Sequence, residues 1–187
     1  MTEKAKRKKK KSLLHEIVSW IIYIGVIVAA SLFIVNFVAQ RTEVVGASME
    51  TTLMNGDQLI VDKVSYRFTE PKRFDIIVFP YPEDPSVHYI KRIIGLPGET
   101  VQISGETIYI NGEPLEEDYG KTAMGDPGIA SEPITLGDDE YFVLGDNRSV
   151  SKDSRYASVG NIHQDDITGK AWLRIWPLDQ IGFLKHQ

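Results

Sequence analysis

The hydrophobic pattern divides the chain in two. From Ile17 to Gln40 run 24 residues without a charge, dominated by Ile, Val, Leu, Phe and Ala. At 1.5 Å per residue a helix of that length spans roughly 36 Å, enough to cross a bilayer with some tilt. Trp20 and Tyr23 stand near one end, where amphipathic rings suit the headgroup layer. After Arg41 the pattern changes to short runs rich in β-branched and aromatic residues, separated by Gly, Pro, Asn and Asp. These predict strands at Glu43–Ala47, Gln58–Asp62, Ile76–Phe79, His88–Ile94, Thr100–Ile103, Thr107–Ile110, Tyr141–Leu144 and Ala171–Trp176. Asn111-Gly112 and Gly137-Asp138 carry turn chemistry. With no long amphipathic helical period competing, the expected fold is mostly β: an antiparallel, coiled or barrel-like sheet behind one N-terminal transmembrane helix.

Charge adds a direction to this picture. Met1–Lys11 holds seven of the chain's 21 basic residues and one of its 26 acidic ones, so a basic tail precedes an acidic remainder. Such a tail by itself suits nucleic acid or another polyanion, but next to an apolar span it suits anionic lipid. The positive-inside rule keeps it cytoplasmic and sends everything after Arg41 across the membrane. The expected units are therefore a tail over 1–16, an anchor over 17–40 and an extracytoplasmic domain over 41–187. A cleavable secretion signal shares the basic head and apolar core, and Val28-Ala29-Ala30 resembles a cleavage site; the apolar run, however, continues past Ala30.

The 187 residues include no cysteine, which excludes disulfides, thiolate metal sites and a cysteine nucleophile, and the four histidines show no metal-ligand spacing. Neither a cofactor nor a metal is expected. Between Glu113 and Pro133 the strand pattern lapses, with Tyr119 and Met124 as the large apolar anchors, which predicts a surface excursion. Apolar tips at Phe68, at Pro80-Tyr81-Pro82 and near Phe183 suit either ordinary packing or contact with the bilayer.

Three stretches offer chemistry. Ser48 follows Gly46 and Ala47 in a turn-prone stretch, where a serine is ordinarily a cap or turn residue. Lys91 lies within His88–Ile94 beside Arg92, and strand alternation turns these two cations to opposite faces. Both could be solvated edge charges. Burial of Lys91 would instead lower its pKa and let the neutral amine accept a serine proton. Backbone N–H groups around Gly46 and Ser48 could stabilise an oxyanion. The third stretch, Gly145 to Arg155, reads as a rigid polar loop, and the same rigidity could hold a lysine amine with Ser151 as acceptor.

Together, Gly-Ala-Ser-Met at 46–49, Arg73–Phe79, Tyr89–Glu99 and Gly145-Asp146-Asn147-Arg148 through Asp153-Ser154-Arg155 resemble bacterial type I signal peptidases, the membrane-anchored serine-lysine proteases that remove signal peptides. The single anchor and short external domain resemble the Gram-positive form. The resemblance implies Ser48 as nucleophile, with its own backbone amide in the oxyanion hole, Lys91 as general base and Ser151 as the lysine-orienting serine. It implies a structural polar network of Asp146, Arg148, Asp153 and Arg155, and shallow pockets for small residues lined by Val44, Met49, Leu53, Tyr89 and Ile90. His88 falls at the pocket rim. Signal peptides and the lipid bilayer are the implied partners, with proximity to the export translocon left open and nucleic acid not expected. Two departures stand out: Thr51 replaces the family's usual proline, and Gly46 replaces a serine that some members place in the oxyanion hole. Two other classes compete. A self-cleaving repressor-type serine-lysine protease would carry a DNA-binding domain and no anchor, and a tethered β module would bind peptides by strand addition without cutting them.

Overall fold

The computed structural model describes residues 3–34, 38–120 and 122–184. It separates into two compact units, Met1–Ala39 and Gln40–Gln187. The first is a helix, α1 (Glu3–Phe33), in which His15–Phe33 is long and apolar enough to cross a membrane. Its large apolar side chains from Ile17 to Phe33 are about half exposed or more, so nothing within that unit covers them. The uncharged run outlasts this helix: its last two residues, Ala39 and Gln40, lie in the first strand.

Among the described residues, the second unit is built on two antiparallel sheets. The larger joins β1 (Ala39–Glu43), β2 (Gln58–Asp62), β11 (Gly169–Trp176), β3 (Ile76–Tyr81), β4 (Asp84–Gly95), β9 (Glu140–Leu144) and β10 (Ile162–His163) in that order, with β12 (Gly182–Phe183) paired to β11. The smaller runs β7 (Glu113–Pro114), β6 (Thr107–Ile110), β5 (Thr100–Ser104) and β8 (Ile134–Thr135). In β2, Leu59 and Val61 are buried while Gln58, Ile60 and Asp62 are partly exposed, the every-second-residue pattern of strand alternation. β3 reads as a continuous apolar run because it is covered on both faces, and in β4 Ile90 to Gly95 are all buried, the cations Lys91 and Arg92 included.

Several differences from the expected strands have local causes. The first strand ends at Glu43, and Val44–Ala47 is irregular because Val44 N–H donates to Asp57 O and Gly56 N–H returns to Val44 O. β4 begins four residues before His88, its exposed first half held by the hairpin with β3 in which Pro80 faces His88 and Tyr81 faces Asp84. The Pro80-Tyr81-Pro82 tip is no apolar prong: Tyr81 is buried and stacks on Tyr89, ring centroids 4.7 Å apart. Phe68 and Phe183, by contrast, are exposed.

The excursion from Glu113 to Pro133 also differs from expectation. Met124 and Ala130 are buried in the core of the small sheet, and Ile129 N–H donates to Arg155 O. Gly128, at φ 56°, lies so close that a Cβ would fall 2.1 Å from that same carbonyl oxygen. The segment is tied down by backbone and arginine contacts that its polar composition does not announce.

Candidate active site

Ser48 sits in a tight turn between β1 and β2. Glu50 N–H donates to Ala47 O, and Thr52 and Leu53 N–H donate to Met49 O, which leaves the Ser48 N–H outside the turn's own bonds. The Glu50–Thr51 peptide is cis. Gly46 takes φ 98°, a region closed to most side chains, and its N–H donates to Asn55 Oδ1 at 2.8 Å. Beneath the turn, Val44, Met49 and Leu53 join Leu59, Val61, Ile76, Val78 and Ile90 in one apolar cluster. That cluster fixes the floor under the serine.

The half-buried Ser48 hydroxyl meets a fully enclosed amine. Lys91 Nζ donates to Ser48 Oγ at 2.8 Å and to Ile90 O at 3.1 Å, and lies 4.9 Å from the centre of the Tyr89 ring. Only 3% of Lys91 is exposed. Removal from water lowers its pKa from 10.5 to about 8, against the pull of the Asp153 and Asp146 charges. The reading of Lys91 and Arg92 as solvated edge charges is thereby overturned: Arg92 is buried as well. Its guanidinium donates from Nε and Nη2 to the two oxygens of Asp146 at 2.8 and 2.7 Å, and from Nη1 to Phe74 O at 2.8 Å. Two adjacent cations thus stay buried because each faces its own acceptors.

The loop after β9 closes over this pair. Asp153 accepts the Gly145 N–H at 3.1 Å and the Arg155 guanidinium at 2.8 and 3.0 Å. Arg155 also donates to Arg148 O, Ser151 O and Met124 O. Arg148 Nε holds Gly145 O at 2.9 Å while its two Nη atoms grip the Glu117 carboxylate. Asp146, Arg148, Asp153 and Arg155, singled out as a network, are all buried; Arg155 joins Asp153 to the Arg148 carbonyl, whereas Asp146 is bonded to Arg92. Asn147 N–H donates to Ser48 O at 3.0 Å, which joins loop and turn directly. At Gly145 no side chain fits: a Cβ would lie 2.2 Å from Ser151 Oγ and 2.4 Å from Ser48 O.

Two expected site residues stand differently. Ser151 lies against this junction, but its Oγ is buried without a hydrogen-bond partner, and Lys91 Nζ bonds to Ser48 Oγ and Ile90 O instead. Leu53 is core rather than pocket. A groove of about 570 Å³ passes Ser48 between Thr42–Met49 and Val87–Lys91, with Val150 and Lys152 also on its wall. Val44, Met49, Tyr89, Ile90 and the rim residue His88 line it; fully enclosed Leu53 does not. Sequence reasoning missed Lys152, whose Nζ donates to Tyr81 OH at 2.5 Å, and the supporting role of Arg92. A second cation beside the candidate lysine was the available signal for Arg92.

A serine hydroxyl in contact with an amine whose pKa burial lowers to about 8 has the chemistry of a hydrolase that works through acyl transfer. Comparison with known proteins narrows this class. The family described as signal peptidase, peptidase S26, matches residues 17–176. The chain is 43% identical over 168 residues to signal peptidase I of Leptolyngbya laminosa, covering 86% of this chain and 80% of that one. It is 35% identical over 192 residues to signal peptidase I P of Bacillus subtilis subsp. natto, covering 99% and 100%. A crystal structure of a signal peptidase I from Enterococcus faecalis V583 matches with a TM-score of 0.46 at 38% identity, over 55% of this chain and 97% of that one. The chain belongs to the signal peptidase family, peptidase S26.

Proposed function

We propose that Ser48 and Lys91 are the nucleophile and general base of a peptidase that removes N-terminal signal peptides from exported preproteins. The 2.8 Å contact between Lys91 Nζ and Ser48 Oγ carries the reading. With a pKa of about 8, a useful fraction of Lys91 is neutral at physiological pH, and the hydroxyl then donates to the amine. Ser48 attacks the carbonyl of the −1 residue, and the lysinium protonates the departing +1 amine. Lys91 then activates water to release the acyl-enzyme. The Ser48 N–H faces the developing oxyanion, since Gly46 contributes no hydroxyl and its own N–H is engaged by Asn55.

The groove accounts for how the substrate lies. β4 is paired with β3 along its length, but with β9 only from Arg92 onward, so among the described residues the other edge of 84–91 is open. An extended peptide laid along it presents alternate residues to the same wall, which suits small side chains at −1 and −3 against Val44, Met49, Tyr89 and Ile90. Helix α1 is the membrane anchor in this reading, with its basic end cytoplasmic and the sheet unit outside, where translocated signal peptides arrive. Shared attachment to one bilayer raises the effective concentration of enzyme and substrate. The test uses the full chain in detergent micelles with a preprotein bearing Ala-X-Ala before its cleavage site. Ser48→Ala and Lys91→Ala should each abolish processing while the sheet unit keeps its folded signature, and near-normal processing by either would remove the mechanism.

A further inference from the structure

The stretch Glu117–Gly120 belongs to neither sheet and contributes nothing to the groove, yet it closes on two arginines of the buried network. Tyr119 covers Arg92 with its ring, the guanidinium carbon 3.5 Å from the ring centre, and packs on Phe74 at 5.2 Å between centroids. Phe74 itself takes φ 69°, a rare conformation for a bulky residue, and its carbonyl accepts Arg92 Nη1. Two residues earlier, the Glu117 carboxylate takes both Nη atoms of Arg148 at 2.6 and 2.7 Å. The Gly120 backbone lies flat against the same guanidinium, where a Cβ would fall 2.9 Å from Cζ.

Each arginine leads to the reacting pair by one further link. Arg92 engages both oxygens of Asp146, and Arg148 engages the carbonyl of Gly145, the residue wedged against Ser48 O and Ser151 Oγ. We propose that Glu117 and Tyr119 are positioning residues for the peptidase reaction: they hold Arg92 on Asp146 and Arg148 on Gly145, and through these contacts set the geometry and electrostatics of Ser48 and Lys91. The charges facing Lys91 come from two directions. Asp146 and Asp153 approach from the loop after β9, each with an arginine on its carboxylate, and Arg92 and Tyr89 flank Lys91 on β4. Asp146 pulls the Lys91 pKa upward, so loosening Arg92 leaves that pull less compensated.

This inference rests on Lys91 acting as base, and the experiment separates the two. Preprotein cleavage by the full chain in micelles is measured as kcat and KM from pH 6 to 10 for wild type, Tyr119→Phe, Tyr119→Leu, Glu117→Gln and Lys91→Ala. Tyr119→Leu should lower kcat about tenfold at pH 7 with KM within about twofold, and move the acid limb upward as Arg92 loosens from Asp146. Tyr119→Phe, which keeps the ring over Arg92, should restore the wild-type limb. Glu117→Gln should lower kcat with KM preserved. Acetic anhydride labelling of Lys91 against pH reports the same shift without turnover. If Lys91→Ala is inactive while Tyr119→Leu and Glu117→Gln keep wild-type kcat and limb, the positioning role is wrong and the base survives. Losses that merely follow the folded fraction, with no change in limb or labelling profile, also overturn it. Full activity in Lys91→Ala removes the base assignment and this inference with it.

Discussion

Replacing Lys91 by methionine should cost the enzyme its activity and make it more stable. In the unfolded chain the amine titrates at its ordinary 10.5, whereas in the fold burial brings it to about 8. At pH 7 the folded state carries a cation it would rather lose, and the difference of about 2.5 pH units corresponds to about 3 kcal/mol of destabilisation. The penalty is fully present below pH 8, where both states bind the proton. It fades as pH rises from 8 to 10.5, because there the unfolded state binds more protons than the folded one. Methionine has a similar length and no charge, so Lys91→Met removes the penalty at every pH. The measurement is unfolding of the sheet unit within the full chain in micelles, at pH 7 and at pH 10. Lys91→Met should be more stable than wild type by about 3 kcal/mol at pH 7, with most of the advantage gone at pH 10. Subtracting the two proteins cancels groups such as Tyr66, whose hydroxyl is held protonated by burial and by Asp75. An equal difference at both pH values, or a less stable variant at pH 7, would refute the claim that burial of the charge is what tunes this amine.

Gly145→Ala should abolish processing, because its Cβ would meet Ser151 Oγ and Ser48 O at once and neither can retreat without moving the turn; preserved kcat would show that the junction is loose. Asp146→Asn leaves the Arg92 guanidinium buried beside a neutral amide and should destabilise the sheet unit by about 3–5 kcal/mol, read from denaturant midpoints at constant slope.

The strands that show in the sequence are those with an inside and an outside. β6 could be read from its alternation and β2 and β3 from their apolar runs, since these patterns follow from which faces are covered. The first half of β4 could not, because Asp84–His88 is exposed and owes its extended form to pairing with β3. The two-residue strands β7, β8, β10 and β12 are likewise products of pairing rather than of composition. At the site, Ser48, Lys91 and the loop after β9 were legible because each lies in a motif of unusual residue types. Leu53 was misplaced since an apolar residue near a turn has the same signature in a pocket wall as in a floor. The contacts of Glu117 and Tyr119 were illegible for another reason: their partners, Arg148 and Arg92, lie about thirty residues away in opposite directions, and nothing local marks the pairing.

The neighbouring cations of β4 also bear on how the chain finds its frame. Lys91 and Arg92 point to opposite faces, one toward a hydroxyl and the other toward a carboxylate. A slip of one residue during sheet assembly would turn each side chain to the other face and bring the wrong one to each acceptor: a guanidinium that never deprotonates against the serine, an apolar isoleucine against Asp146. The misfolded sheet would bury an unpaired carboxylate and so pay heavily in free energy. The two side chains therefore act as a built-in proofreader of strand alignment, one that couples the correctness of the fold to the competence of the chemistry.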